Sequence, residues 1–172
     1  RAGFYEGAVA RRICEAISPG GSPLTPDDFA SYEARWVDPI STSYRGHDVF
    51  QMPPSTQGFA ALQILNLLEG FDVKSWGEGT ADYYHHIVEA VKVAFADRDE
   101  WLTDPDFVDI PLERLLSKAY ADERRALISR ERALGHQQLE PGLRYGTTFD
   151  KRSPDGGTIY LCTADADGLV VS

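Results

Sequence analysis

The 172 residues contain two cysteines, one methionine and four histidines, and no apolar run long enough to cross a membrane. Each shortage excludes something. Cys14 sits in a helical pattern and Cys162 in a strand pattern, too far apart in kind and place for a disulfide framework or a zinc site. Both read as small buried apolar residues. His47, His85, His86 and His136 lack metal-ligand spacing; His85 and His86, adjacent on a helix, point about 100° apart. They are expected to pack at or near the surface. Positive charge is also short: 17 Lys and Arg stand against 27 Asp and Glu, a net charge of -10. Such a chain repels phosphate backbones, so nucleic acid is not an expected partner. The opening residues, RAGFYEGAVARRICEAI, have neither an apolar core nor a cleavage pattern of a signal peptide. An initiator methionine is absent too, and the chain is expected to be a piece of something longer.

What is present suits one soluble unit, with 42% hydrophobic residues to build a core. Tyr5, Val9, Ile13 and Ile17 are spaced as a helix stripe, stopped by Ser18-Pro19-Gly20-Gly21. Thr25 is placed to cap a second helix, with Pro26 at its first position and Asp27 and Asp28 at its positive end. Those two acids are helix-start chemistry rather than a catalytic pair. Ile40 to Tyr44 and Asp48 to Met52 read as a hairpin turning at Arg45-Gly46-His47. Ser55 is expected to cap the helix QGFAALQILNLLE, which Gly70 closes; PPSTQG is not a nucleophile elbow. A long helix follows from Thr80 to about Trp101, with Tyr84, Ile87, Val88, Val91, Ala94 and Phe95 as its apolar stripe. Asp97 and Arg98 are read as near-surface groups whose ion pairs orient neighbouring segments only weakly. Two further helices are expected over roughly 112–119 and 120–134. From 135 to 157 the chain turns polar and aperiodic, a long connector of the functional or mobile sort. Thr158 to Ala164, the turn Asp165-Ala166-Asp167-Gly168 and Leu169 to Ser172 form a hairpin.

Gly156-Gly157-Thr158 stands where the connector meets that hairpin. A threonine hydroxyl is a weak nucleophile unless a base takes its proton. If threonine becomes the first residue of a chain, its own α-amine, with a pKa of about 7.7–8, can serve. The bond before it must break first. Glycine there removes Cβ bulk from the approach to the carbonyl, and the strand behind holds the hydroxyl. The same three residues also fit an ordinary loop and the first residue of a strand. Thr147 and Thr148, in YGTTFD, compete for the role but have no strand behind them.

The runs GGSPLTPDDFASYEARWVDPISTSYRGHDVFQMPPSTQGFAALQILNLLEGFD and HHIVEAVKVAFADRDEWLTDPDF resemble those of the γ-glutamyltranspeptidase family of N-terminal-nucleophile hydrolases. The resemblance implies an α+β fold, an αββα sandwich of two stacked sheets between helices, incomplete in this chain. It implies a precursor that cuts itself into large and small subunits. Aligning ADADG with the family's small-subunit pattern puts the nucleophile at Thr158 and the cut between Gly157 and Thr158. Residues 1–157 are then the mostly helical C-terminal part of the large subunit, ending in a mobile linker at about 135–157. Residues 158–172 begin the small subunit. The implied reaction is acyl transfer from a γ-glutamyl compound such as glutathione to water or an amino acid, without metal or organic cofactor. Thr158-Ile159-Tyr160 departs from the Thr-Thr-His of glutathione-processing members. An acylase of the same fold, acting on other side-chain amides such as β-lactam precursors, therefore stays open, as does a non-catalytic scaffold. The family's glutamate-gripping arginine falls before Arg1 and its pocket residues after Ser172, so this stretch alone is expected to be inert. The compartment is left open between periplasm or secretion and cytoplasm.

Overall fold

The computed structural model describes residues 1–135, 139–144, 163–164 and 170–171. The chain opens with α1 (Ala2–Tyr5), α2 (Ala8–Ile17) and α3 (Pro26–Ser31). The single helix expected before Ile17 is two, broken at Gly7, where a Cβ would lie 2.7 Å from the Gly3 carbonyl oxygen. The small residues Ala10 and Cys14 are buried, while Val9 of the expected stripe is 45% exposed. Tyr5 stacks on Tyr32 at 5.6 Å and closes this helical group. Thr25 caps α3 as expected. Its Oγ1 accepts from the Asp28 amide, and the Asp28 carboxylate accepts from the Thr25 amide at 2.7 Å. The Thr25 hydroxyl, donating to the Asp28 carboxylate at 2.7 Å, and then the Thr25 amide hold that carboxyl below its ordinary pKa, so its charge serves the cap.

The hairpin β1 (Ile40–Tyr44) and β2 (His47–Gln51) pairs Tyr44 with His47 across a two-residue turn, Arg45-Gly46. Both turn residues have positive φ, 50° and 84°, the geometry that matches strand twist. Next comes α4 (Gly58–Glu69), the most buried element. Phe59 and Leu62 are wholly enclosed, and the polar Gln63 and Asn66 are buried with them. Ser55 does not cap α4. The helix starts at Gly58 behind Gln57 without a side-chain cap, while the neighbouring Thr56 hydroxyl donates to the Met52 and Pro53 carbonyls.

Asn66 shows why a polar residue belongs inside. Its Oδ1 accepts from Thr42 of β1 and from Lys118, each at 2.7 Å, and its Nδ2 donates to the Leu116 carbonyl at 2.9 Å. One amide side chain thus joins the hairpin, α4 and the start of α8. After α5 (Val73–Trp76), the long α6 (Ala81–Trp101) runs alongside α4 from its Thr80 cap. Then α7 (Leu112–Leu115) and α8 (Lys118–Arg125) close the core. The helices expected over 112–119 and 120–134 are shorter, since the Ser117 hydroxyl accepts from the Tyr120 amide and starts α8 afresh. Two apolar clusters result. One gathers Phe59, Trp101, Ile110, Leu115 and Tyr120; the other gathers Leu67, Leu68, Ala90, Val93 and Ala94.

Gly70 ends α4, with a physical reason unlike the one its position suggests. Its φ is -77°, an ordinary helical value. What it supplies is room: a Cβ there would stand 2.0 Å from the Arg125 guanidinium carbon. Arg125 uses that space to donate to the Leu67 and Asn66 carbonyls, both at 2.8 Å, satisfying the open end of α4. Gly70→Ala is expected to push Arg125 away and destabilise the protein by about 1–3 kcal/mol. Urea denaturation of the variant beside Arg125→Ala checks this. The two should lose similar stability, and the double variant little more than either.

Among the described residues the last elements are β3 (Thr163–Ala164) and β4 (Val170–Val171), antiparallel, with Ala164 opposite Val170. This pairing agrees with the hairpin expected around Asp165–Gly168, although that turn lies outside the described residues.

Candidate active site: a connector held by buried acids

The long helix presents a different face to the core from the one its apolar residues suggest. Tyr84 and Val88 are 59% and 48% exposed, whereas His86, Glu89, Ala90, Val93, Ala94, Asp97 and Trp101 are buried. Of the expected stripe, Ala94 alone is fully buried. The cause is a pair of carboxylates with fixed partners, Glu89 and Asp97, each 1% exposed. Burying a carboxylate is costly unless its oxygens receive hydrogen bonds, and here they do.

Asp97 is therefore no near-surface charge. Its Oδ2 accepts from the Tyr120 hydroxyl at 2.8 Å and from Gln63 Nε2 at 3.2 Å. Its Oδ1 accepts from the Gly142 amide at 2.7 Å, with Arg124 at 3.8 Å. Burial, then the Asp97 charge, raises the Tyr120 hydroxyl far above its ordinary pKa, so it remains a proton donor. One carboxylate oxygen serves the helical core and the other serves the connector. Arg98 faces elsewhere, paired with Asp99 at 2.6 Å and lying 3.7 Å over the Phe95 ring.

Glu89 does the same one end earlier. It accepts from the Leu134 amide at 2.7 Å and from Lys92 at 2.6 Å, and Lys92 also donates to the Leu134 carbonyl at 3.0 Å. Burial pushes its carboxyl up, but Lys92 and the Leu134 amide outweigh burial and leave the pKa below the ordinary value. A depressed carboxylate adds stability that is complete above its unfolded pKa, about 4.3, and lost as pH falls through the lower folded value. The wild type is thus expected to lose more thermal stability than Glu89→Gln between about pH 5 and 3. Equal losses in melting curves across that range would contradict the assignment.

Further bonds complete the hold. Trp101 Nε1 donates to the Leu143 carbonyl at 3.0 Å and Arg124 to the Glu140 carbonyl at 2.8 Å. Leu134, Leu139 and Leu143 pack on the two clusters. The described part of the connector, residues 139–144, is therefore held against α6 and α8 at Glu140, Gly142 and Leu143. Gly157 and Thr158, with the competing Thr147 and Thr148, lie outside the described residues. Periodicity missed Glu89 and Asp97 because it assigns charge to the solvent side. A usable signal was there: Ala90, Val93 and Ala94 share their helix face. Among the described residues no group of His, Cys, Asp and Glu could hold a metal, and no helix is long and apolar enough to span a membrane.

The fold has counterparts among solved structures. The chain superposes on the crystal structure of Helicobacter pylori gamma-glutamyltranspeptidase with a TM-score of 0.72 and 34% identity, covering 88% of this chain and 43% of that one. With cephalosporin acylase from Bacillus halodurans the TM-score is 0.69 at 41% identity, over 83% of this chain and 25% of that one. The fold is accordingly an incomplete α+β fold of the N-terminal-nucleophile hydrolase class. A family profile described as Gamma-glutamyltranspeptidase matches residues 1–172, and the chain belongs to that family, which is one of enzymes. A curated relative, the glutathione hydrolase-like YwrD proenzyme of Bacillus subtilis (strain 168), is 43% identical over 173 residues, 100% of this chain. The chain spans 30% of that relative's length.

Proposed function

We propose that the chain carries the self-cleavage junction of a γ-glutamyl transferase or hydrolase precursor, with Thr158 as the residue freed to act. The Thr158 hydroxyl attacks the Gly157 carbonyl carbon, and the peptide bond gives way to an ester. Water hydrolyses the ester, leaving a Gly157 carboxylate and a free Thr158 amine. That amine then accepts the hydroxyl proton as Thr158 attacks a γ-glutamyl amide. An amine departs and an acyl-enzyme remains, to be taken by water or by the amine of an amino acid. The observation that carries this reading is the match to a proenzyme along the whole chain, together with a Gly-Gly-Thr ahead of the β3–β4 pair. N-terminal sequencing of the mature small subunit tests it: the first residues should read Thr-Ile-Tyr-Leu.

A second reading concerns the acyl donor. Thr158-Ile159-Tyr160 stands in place of Thr-Thr-His, and the cephalosporin acylase shares 41% identity with this chain. An acylase of other side-chain amides would use the same nucleophile. Turnover of a panel of γ-glutamyl and β-lactam side-chain amides by the full-length protein separates the two by their kcat/KM ratio.

A further inference from the structure

We propose that Asp97, with Gly142 and Trp101, is a positioning clamp for the self-cleavage reaction, a role that rests on the function proposed above. The clamp stands at the last part of the connector the structure describes before the Gly157–Thr158 bond. Two features set it apart from core packing. Asp97 divides its oxygens, Oδ2 to Tyr120 and Gln63, Oδ1 to the Gly142 amide. A buried carboxylate that only filled space would be replaceable by an apolar residue; one that receives a backbone N–H fixes where that backbone lies. Independently, Gly142 is pressed against the helical layer. A Cβ there would stand 2.1 Å from the Tyr120 hydroxyl oxygen and 2.8 Å from Arg124 Cδ. A side chain there would force the Tyr120 ring, the Arg124 side chain or the connector itself to move. Next in sequence, the Leu143 carbonyl accepts from Trp101 Nε1. Adjacent residues are thus gripped through an N–H and a C=O, which fixes direction as well as position.

Magnitude separates positioning from mere tethering. Without the clamp, the run back from Thr158 to a fixed point lengthens at most from about 15 residues, at Leu143, to about 24, at Leu134. Effective concentration falls roughly as the -3/2 power of length, so a tether alone predicts about twofold slower cleavage. An intramolecular attack depends far more steeply on alignment, where a displacement of about 1 Å can cost on the order of 100-fold.

The test follows the appearance of two bands from freshly made full-length precursor. Asp97→Asn and Gly142→Ala are expected to cleave at least tenfold more slowly than wild type. Trp101→Phe, which keeps the ring and loses the N–H, should be slowed threefold or more. Leu62→Ala, a truncation of a wholly buried α4 residue outside the clamp, serves as the stability control. It should lower Tm as much or more and cleave within twofold of wild type. Should Asp97→Asn or Gly142→Ala fail to fold, Trp101→Phe decides alone. Slowing of twofold or less in the clamp variants, or equal slowing in Leu62→Ala, overturns the clamp and leaves the junction intact. A wild-type precursor that stays one band overturns the junction as well.

Discussion

Thr158→Ala in the full-length protein is expected to leave one uncut chain and to lower turnover of γ-glutamyl-p-nitroanilide by on the order of 10⁴-fold or more. Both losses have the same origin. Alanine has no hydroxyl to attack the Gly157 carbonyl, so no new amine is made and no nucleophile meets the substrate. Thr158→Ser separates chemistry from folding. It keeps the hydroxyl and should still give two bands, more slowly. The double variant Thr147→Ala/Thr148→Ala should mature normally, because the sequence directly after them carries no strand pattern that would hold a nucleophile. Two bands from Thr158→Ala, read by gel and intact mass, would remove Thr158 from the mechanism.

Asp97→Ala should be the most damaging single change in the described residues, at about 3–5 kcal/mol. It strands three donors at once, Tyr120, Gln63 and the Gly142 amide, and removes the negative charge 3.8 Å from the buried Arg124 guanidinium. Each buried group left without its partner costs about 1–3 kcal/mol before relaxation. Tyr120→Phe should cost much less, about 1 kcal/mol, since it removes donor and need together. The comparison is made by urea denaturation of the full-length variants. A loss for Asp97→Ala near that of an exposed control such as Asp99→Ala would contradict the buried network.

Several elements whose cause is local were legible in the sequence. Thr25 and Thr80 start helices because their hydroxyls accept amide hydrogens within three residues. Arg45-Gly46 turns a hairpin because that pair adopts positive φ. The motif runs placed the chain in its family, and the family profile agrees over the same residues. Where the reading of α6 differed, the deciding partners lay far off in the chain. The stripe of α6 looked apolar, yet Glu89 and Asp97 face inward because Leu134 and Gly142 bring them N–H groups 45 residues away.

By itself, then, the amino-acid order determined the helix starts at Thr25 and Thr80, the hairpin turn and the family, and it supplied the Thr158 proposal. Tertiary structure alone decided which charges lie inside and why Gly70 and Gly142 must lack a side chain. It also decided that residues 139–144 of the connector are bound to α6 and α8. The reason is physical. A cap or a turn is satisfied by neighbours a few residues away, whereas the cost of burying a carboxylate is settled only by the distant donors that folding brings to it.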